Sequence, residues 1–365
     1  MAFGWRSVAT EWPLVIPPVA VAVLGLTWGR HIGTVLVLAV AVVLVGAVLA
    51  AVHHAEVVAH KVGEPFGSLI LAVAVTVIEV GLIVTLMISG GPATASLARD
   101  TVFAAVMITV NGIAGLSLFV GARKYGVALF NAEGTGAALA TVASLATLSL
   151  VLPTFTTSRP GPEFSSAQLV FAAVASLVLY GMFVLTQTGP HRHFFLPVIA
   201  DEPETRDRDS APPTGRMAGM SLALLVVALC AVVGLAKVES PAIEDAVEDA
   251  GLPQSIVGVV IALLVLLPET LAAVRAAQRN RIQISLNLAF GSAMASIGLT
   301  IPAIAVASIW LDGPLLLGLG PTQVVLLAIT VVVGMLTVVP GRATRLQGGV
   351  HLVLLAAYVF LSVNP

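Results

Sequence analysis

The chain has 365 residues, of which 58% are hydrophobic and only 10% are charged, and its mean hydropathy is +1.04. Soluble domains carry about 25% charged residues, so this composition excludes an ordinary soluble protein and predicts a polytopic membrane protein whose apolar surface faces the lipid bilayer. A net charge of −2 gives no reason to expect a nucleic-acid partner, and the single cysteine, Cys230, cannot form an internal disulfide.

Membrane-spanning helices need about 20 predominantly apolar residues, and the chain offers eleven such segments. Aromatic residues are too few for barrel girdles and strand-type alternation is absent, so an all-α fold is predicted. The first segment could be read as a signal peptide, but it lacks a clear small-residue cleavage site, which favours a retained helix. The predicted spans are 13–29, 33–52, 68–89, 101–121, 135–153, 167–186, 217–236, 255–274, 286–309, 321–339 and 347–363.

The basic residues orient these spans. Eleven spans, an odd number, place the two termini on opposite sides of the membrane. One side then collects 13 of the 17 Lys and Arg residues and the other side collects 4. Because positive residues accumulate on the cytoplasmic side, the N-terminus is predicted to be cytoplasmic and the C-terminus outside.

Two hydrophilic stretches separate groups of spans. Residues 187–216 contain five prolines and charges of both signs, and are predicted to be a cytoplasmic linker between the sixth and seventh spans. Residues 239–251 carry five acidic side chains, all within 239–249, and fall outside. A solvated amphipathic helix and a weak cation-attracting funnel are both open interpretations of that stretch.

Only two of the 19 acidic residues, Glu79 and Glu269, fall inside predicted spans, and no Lys or Arg does. The segments GSLILAVAVTVIEVGLIVT (67–85) and VGVVIALLVLLPETLAAVR (257–275) place them at matching positions of the third and eighth spans. These two spans cross the membrane in opposite directions, which indicates an inverted repeat. A charged residue at a helix centre costs roughly 2.5–3.5 kcal/mol, so both glutamates are candidate functional residues. A protonated, hydrogen-bonded structural glutamate is the alternative.

Two opposed carboxylates suit a hard divalent cation, which takes several oxygen ligands, including carboxylates and backbone carbonyls. Pro268 removes a backbone donor next to Glu269 and is expected to break the helix, which frees a carbonyl one turn earlier. Thr76 lies three residues before Glu79 and has two interpretations, a similar oxygen ligand or an ordinary helix hydroxyl.

The span after each glutamate helix carries further polar side chains. Asn111 lies in the middle of the fourth span and is interpreted as a site residue. Ser292 and Ser296 in the ninth span are four residues apart and share a face, so both are candidate ligands. Small residues that allow close helix packing are the alternative for each serine. The remaining polar residues of these spans are Thr109, Ser117, Asn287 and Thr300.

Proton binding follows from the same two carboxylates. Without a cation, two nearby carboxylates in a medium of low dielectric constant cannot both stay ionised, and they would titrate as a coupled pair. Protons and a cation therefore compete for the same oxygens, and this competition predicts exchange across the membrane. The sequence contains no P-loop motif for ATP-driven transport, and no cofactor is expected.

The segment AVHHAEVVAHKVGEPFG, 51–67, precedes the first glutamate helix. His53, Glu56 and His60 fall on one helical face, and their spacing does not match the zinc protease motif. A helix end at the cytoplasmic interface is one interpretation, and a pH-responsive gate with Glu56 and His60 is the other. The expected hinge residues of that gate are Gly63, Pro65 and Gly67.

Three segments resemble bacterial calcium/proton antiporters of the ChaA type, which belong to the calcium/cation antiporter superfamily: RNRIQISLNLAFGSAMASIGLTIPA, VLLPETLAAVRAA and GEPFGSLILAVAVTVIEV. The resemblance implies a ten-helix core of two inverted five-helix repeats in a bacterial inner membrane. The first repeat would be 33–186 and the second 217–365, with 1–32 as an extra N-terminal helix.

The same resemblance implies that Glu79 and Glu269 bind the cation and the protons alternately, supported by residues around Asn111, Ser292 and Ser296. The segments VTVIE and VLLPE depart from the wider superfamily's Gly-Asn-x-x-Glu pattern. ChaA-type proteins are associated with sodium and potassium as well as calcium, so the transported cation stays open.

Ca²⁺/H⁺ exchange by alternating access is the first hypothesis, and Na⁺ or K⁺/H⁺ exchange through the same residues is the alternative. Charge does not separate them, because two carboxylates balance one divalent or two monovalent cations. An intramembrane hydrolase needs a nucleophile–base pair or a metal-bound water, and no span offers a His or Cys beside an acid. A passive channel would show flux without proton coupling. The sequence therefore predicts a transporter and not an enzyme.

Overall fold

A computed structural model describes residues 5–30, 32–63, 66–198, 213–310 and 313–365. Within these ranges, nine helices are long and apolar enough to cross a membrane, and a bent pair of helices qualifies as one further span. A shorter apolar helix, Glu11–Thr27, precedes them. A helix satisfies its backbone hydrogen bonds within one segment, which is why it suits a bilayer. The predicted all-α polytopic membrane protein is confirmed.

The helices are numbered in chain order. They are α1 (Trp5–Thr27), α2 (Thr34–Val62), α3 (Phe66–Gly90), α4 (Leu97–Met107), α5 (Ala114–Tyr125), α6 (Ala132–Ala146), α7 (Leu152–Phe155), α8 (Ser166–Thr188), α9 (Gly215–Asp249), α10 (Ser255–Val265), α11 (Leu267–Gln278), α12 (Ile282–Ala307), α13 (Pro321–Val338) and α14 (Arg345–Val363). Two π-helical turns, Ile108–Ile113 and Thr147–Val151, join α4 to α5 and α6 to α7. Short strands β1 (Ala128–Leu129) and β2 (Arg342–Ala343) pair antiparallel.

Two helices run well past the predicted ends of their membrane spans. The second span, predicted to end at residue 52, continues as α2 to Val62, because no Gly or Pro occurs between residue 52 and Gly63. The seventh, predicted as 217–236, is part of α9, which runs to Asp249 and therefore includes most of the acidic stretch 239–251. Charged residues end a hydropathy window, but they do not end a helix.

The chain divides into two compact units. The first unit contains α1, α2, α3 and α9. Within it, Gly46 of α2 lies against Ile16, and Gly234 of α9 lies against Leu24, so two glycines let α1 approach both helices closely. Pro17 has no N–H to offer the Pro13 carbonyl, and that carbonyl is bonded instead to Nε2 of the buried His54 at 2.9 Å.

The second unit contains α4 to α8 and α10 to α14. Close contacts at glycines again set its packing: Gly298 of α12 lies against Tyr180 of α8, and Gly115 of α5 lies against α14 at Gly348. A hydrogen bond of 3.1 Å between Ser149 and Ser176 links α8 to the second π-helical turn. Each unit takes helices from both halves of the chain, and the division into repeats 33–186 and 217–365 stays a prediction.

The predicted linker, 187–216, begins with a 3₁₀ turn, Arg192–Phe195, in which Phe195 is buried. Residues 199–212 of the linker lie outside the described residues. The Thr214 side chain accepts a hydrogen bond of 3.3 Å from the Met217 N–H and caps the start of α9.

Candidate cation-binding site

Glu79 lies in the middle of α3, in the first unit, and only 1% of its surface is exposed. The helix continues without a break on both sides of it. Its helical neighbours one turn away include the buried apolar residues Val75, Leu82 and Ile83. A carboxylate in this environment has lost its water, so its charge must be neutralised or otherwise stabilised.

Thr76 lies one turn before Glu79 and is 7% exposed. Its hydroxyl donates a hydrogen bond of 2.8 Å to the Ala72 carbonyl within α3. This is the bond expected of an ordinary helix hydroxyl. The Thr76 hydroxyl therefore donates its hydrogen within α3. Its oxygen lone pairs can still accept a hydrogen bond or bind a cation.

Glu269 lies in the second unit at a break between two helices. α10 ends at Val265, Leu266 leaves the helical conformation with φ −87° and ψ 1°, and α11 begins at Leu267. The two helices are bent by 53°. The predicted break at Pro268 is thus present, since Pro268 has no N–H for the Leu264 carbonyl one turn earlier.

The break places Glu269 in the first turn of α11, where it is 9% exposed. The N-terminus of a helix carries partial positive charge, which stabilises a carboxylate there. The carbonyl of Leu266, at the break itself, accepts from both the N–H and the hydroxyl of Thr270, at 2.9 and 2.7 Å. Glu269 thus lies at a helix N-terminus, whereas Glu79 lies in a helix interior.

Asn111 lies in the first π-helical turn and is fully buried. Its Nδ2 is 2.9 Å from Thr330 Oγ1, and its Oδ1 is 2.9 Å from His351 Nδ1. Both ends of the amide therefore have partners in α13 and α14. Each carbonyl oxygen has two lone pairs, so Oδ1 keeps one acceptor position.

The predicted serines of α12 differ in exposure. Ser296 is 4% exposed, whereas Ser292 is half-buried. Asn287, on the same helix, uses its amide elsewhere: Nδ2 donates to the Phe195 carbonyl at 2.7 Å and Oδ1 accepts from Gln283 Nε2 at 2.9 Å. It serves in packing, and Ser292 and Ser296 stay the predicted ligands of α12.

Polar side chains also join α12 to α5. Ser285 Oγ and Ser117 Oγ are 2.5 Å apart, and both serines are fully buried. Thr109 donates to the Ala105 carbonyl at 2.7 Å. The serine pair thus holds α5 and α12 together, whereas the Thr109 bond stays within its own helix.

The histidine stretch is the last part of α2. His53, Glu56 and His60 are exposed, while the adjacent His54 is buried. Of the expected hinge residues, Gly63 ends α2 with a φ of 76°, a conformation that favours glycine. Gly67 lies within α3, where a Cβ would be 2.6 Å from the Ala59 carbonyl oxygen, and Pro65 lies outside the described residues.

The burial of two further carboxylates is not predicted from the sequence. Among the described residues, Asp100 and Glu239 are buried as well as Glu79 and Glu269. Asp100, in the first turn of α4, accepts from Arg99 Nε and Ser96 Oγ, both at 2.8 Å. This pairing explains its burial. Glu239 is 3% exposed inside α9, so this residue of the acidic stretch is not on a solvated helix face. Both lie at the edge of predicted spans, where hydropathy does not separate buried from solvated positions.

His351 is also missing from the predicted site. It is 3% exposed in α14 and contacts Asn111. The signal was present in the sequence, because His351 is a polar side chain inside the predicted span 347–363. Intramembrane ionisable residues are functional candidates by default.

A bundle of apolar helices with buried carboxylates is typical of membrane proteins that transport ions. Residues 32–189 and 220–364 match the profile of a family described as sodium/calcium exchanger protein. The chain belongs to this family, within the calcium/cation antiporter superfamily, and is a multi-pass bacterial cation antiporter. This is a family of transporters and not of enzymes.

Relatives of known sequence cover nearly the whole chain. The Sinorhizobium fredii protein y4hA is 45% identical over 357 residues, which is 97% of this chain and 96% of that protein. The sodium-potassium/proton antiporter ChaA of Escherichia coli K12 is 34% identical over 353 residues, 96% of this chain and 95% of that protein. The predicted resemblance to ChaA-type antiporters is confirmed.

The solved structure of native YfkE has the same fold, with a TM-score of 0.70 over 98% of this chain and 99% of YfkE. The two sequences are 16% identical. At that identity the likeness shows a shared helix arrangement and nothing further about the cation.

Proposed function

We propose that this protein exchanges Ca²⁺ for protons, with Glu79 and Glu269 binding the cation in one half of the transport cycle and protons in the other. The observation that supports this proposal is the burial of one carboxylate in each of two helices with matching sequences. Glu79 is 1% exposed and Glu269 is 9% exposed. A buried carboxylate is tolerated when a cation or a proton neutralises it.

Charge balance gives the exchange its coupling. Two carboxylates are neutralised by one Ca²⁺ or by two protons, so loss of one ligand favours binding of the other. Alternating access then carries the cation in one direction and protons in the opposite direction. The cycle needs no cofactor and no nucleotide.

A hard cation needs more oxygens than two carboxylates supply, since Ca²⁺ takes 6–8. We assign Thr76 as the neutral oxygen that supports Glu79 in the first unit. In the second unit we assign Asn111, Ser292 and Ser296 to the support of Glu269. The Leu264 carbonyl, which Pro268 cannot bond, is a further candidate.

Na⁺ or K⁺ in place of Ca²⁺ is the second candidate function. It is favoured by ChaA of Escherichia coli, a sodium-potassium/proton antiporter with 34% identity over almost the full chain. Ca²⁺ is favoured by the sodium/calcium exchanger family that the chain matches and by the preference of a divalent cation for paired carboxylates.

The decisive experiment uses everted membrane vesicles with an imposed proton gradient, to which Ca²⁺, Na⁺ and K⁺ are added in turn. We expect Ca²⁺ to trigger proton efflux. Efflux with Na⁺ or K⁺ and none with Ca²⁺ would favour the second candidate. Cation flux that does not move protons would show a channel and overturn both.

We further propose that the chain lies in the bacterial inner membrane with its N-terminus in the cytoplasm and its C-terminus outside, as the 13 to 4 division of basic residues predicts. Glu56 and His60, both exposed at the end of α2, would then form a gate on the cytoplasmic side. Alkaline phosphatase fused to the C-terminus should be active, and an inactive fusion beside an active cytoplasmic reporter would reverse the orientation.

A further inference from the structure

A buried network of four polar side chains joins the π-helical turn Ile108–Ile113 to α13 and α14. Asn111 bonds both Thr330 and His351, each at 2.9 Å, and the other ring nitrogen of His351 is 3.2 Å from Thr337 Oγ1. All four residues are at most 3% exposed. The network lies entirely in the second unit.

The hydrogen-bond partners of Asn111 and His351 indicate which atoms of the network donate and which accept. Met107 Sδ lies 3.7 Å from both Asn111 Nδ2 and Thr330 Oγ1, and sulfur is a weak acceptor, so the amide nitrogen belongs on that side. Asn111 Oδ1 therefore faces His351, whose Nδ1 must carry the hydrogen. Nε2 is then bare and accepts from Thr337.

Glycines bring the network together. A Cβ at Gly348 would lie 2.5 Å from the Phe119 nitrogen, and a Cβ at Gly115 would lie 2.7 Å from His351 Cβ. These two glycines let the backbones of α5 and α14 touch, which places the imidazole within reach of Asn111. Thr330 and Thr337 are seven residues apart, so both lie on the face of α13 that meets the network.

We propose that His351 is a positioning residue for Asn111 in cation binding. The proposal rests on the proposed function, in which Asn111 Oδ1 is a cation ligand. One lone pair of Oδ1 is bonded to the imidazole and the other is left for the cation. Without the Nδ1–H, the amide can rotate and turn its NH₂ group toward the positive charge. Hydrogen bonds that orient a ligand in this way affect metal affinity roughly 10–100-fold.

Two substitutions separate the two hydrogen bonds of His351. In His351→Asn the side-chain amide reaches the place of Nδ1, so the bond to Asn111 is kept and the bond to Thr337 is lost. In His351→Gln the amide reaches the place of Nε2, so the bond to Thr337 is kept and the bond to Asn111 is lost. Thr337→Val is the matched control, because it removes only the distant bond.

The experiment measures Ca²⁺ binding to the purified protein by calorimetry, beside Ca²⁺-driven proton exchange in vesicles. We expect His351→Gln to weaken the apparent Ca²⁺ affinity roughly 10-fold or more, with a smaller change in the maximal exchange rate. His351→Asn and Thr337→Val should stay close to the wild type in affinity. A uniform fall in folded protein for all three variants would indicate a purely structural network and overturn the proposal.

The two proposals fail in different ways. Wild-type protein that binds Ca²⁺ without moving protons overturns the exchange function, and the affinities of the variants still decide the role of His351. Wild-type exchange with equal affinities in His351→Gln and His351→Asn overturns the positioning role alone. Wild-type protein that binds no Ca²⁺, Na⁺ or K⁺ overturns both.

Discussion

The two glutamates occupy matching sequence positions but different backbones. Glu79 stands inside α3, an unbroken helix from Phe66 to Gly90. Glu269 stands in the first turn of α11, after a 53° bend at Leu266. The helix N-terminus stabilises the negative charge of Glu269, whereas along α3 Glu79 is flanked mainly by apolar side chains. Equal residues at matching sequence positions therefore do not imply equal electrostatics.

The following helices show the opposite difference. α12 is α-helical from Ile282 to Ala307 with Pro302 inside it, while the helix that follows Glu79 in the first half contains the π-helical turn Ile108–Ile113. In the first half the π-helical turn thus lies in the helix that follows the glutamate helix, whereas in the second half the bend lies in the glutamate helix itself. Such irregular turns occur often at functional sites, because they release backbone groups from the regular ladder. The comparison predicts that the two halves respond differently to the same substitution.

Removal of either charge should have the largest effect. We expect Glu79→Gln and Glu269→Gln each to abolish cation-driven proton exchange, because neither amide can bind and release a proton in the cycle. Glu248→Gln is the matched control, since Glu248 is exposed near the end of α9 and should leave exchange unchanged. The rates are measured in everted vesicles after comparing the amount of folded protein. Intact exchange in both glutamate variants would show that Glu79 and Glu269 are not the exchange site.

Substitutions at the residue before each glutamate test directly whether the backbones of the two helices differ. Ile78 stands before Glu79 as Pro268 stands before Glu269. Ile78→Pro should destabilise the protein by about 3 kcal/mol or more, because it removes a helix hydrogen bond and its ring clashes with the preceding turn. Pro268→Ala should keep stability but weaken cation affinity, because the added N–H can close the break. Thermal unfolding and apparent affinity separate these outcomes; equal losses of stability would contradict the difference between the helices.

Much of this architecture could be predicted from the sequence. Long apolar runs mark the spans, and Pro268 marks the break, because both signals are local. The π-helical turn at Asn111 could not be predicted, since the segment VFAAVMITVNGIAGL contains no feature that separates it from a regular helix. The partner of Asn111 lies 240 residues away in α14, and only folding shows that the two meet.

Substitutions at two glycines test how closely α3 and α10 pack against their neighbours. A Cβ at Gly258 of α10 would lie 2.8 Å from the backbone of Asp100 and Thr101, whereas a Cβ at Gly81 of α3 would meet the Val233 side chain at 2.6 Å. A backbone cannot move aside as a side chain can. Gly258→Ala should therefore cost about 1–3 kcal/mol, and Gly81→Ala less. Thermal unfolding in detergent compares them, with Gly291→Ala as the control because nothing lies within 4 Å of its Cβ position. A larger loss at Gly81 would reverse the inferred order.

The smallest expected effect concerns the threonines beside the two glutamates. Thr76 and Thr270 each donate to the carbonyl four residues earlier, at 2.8 and 2.7 Å. Thr76→Val and Thr270→Val should each change stability by about 1 kcal/mol, because each loses one hydrogen bond. Only Thr76→Val should also weaken cation affinity, since Thr76 is the assigned ligand, and Thr76→Ser should restore it. Equal affinities in the two valine variants would show that the Thr76 hydroxyl serves its helix and does not bind the cation.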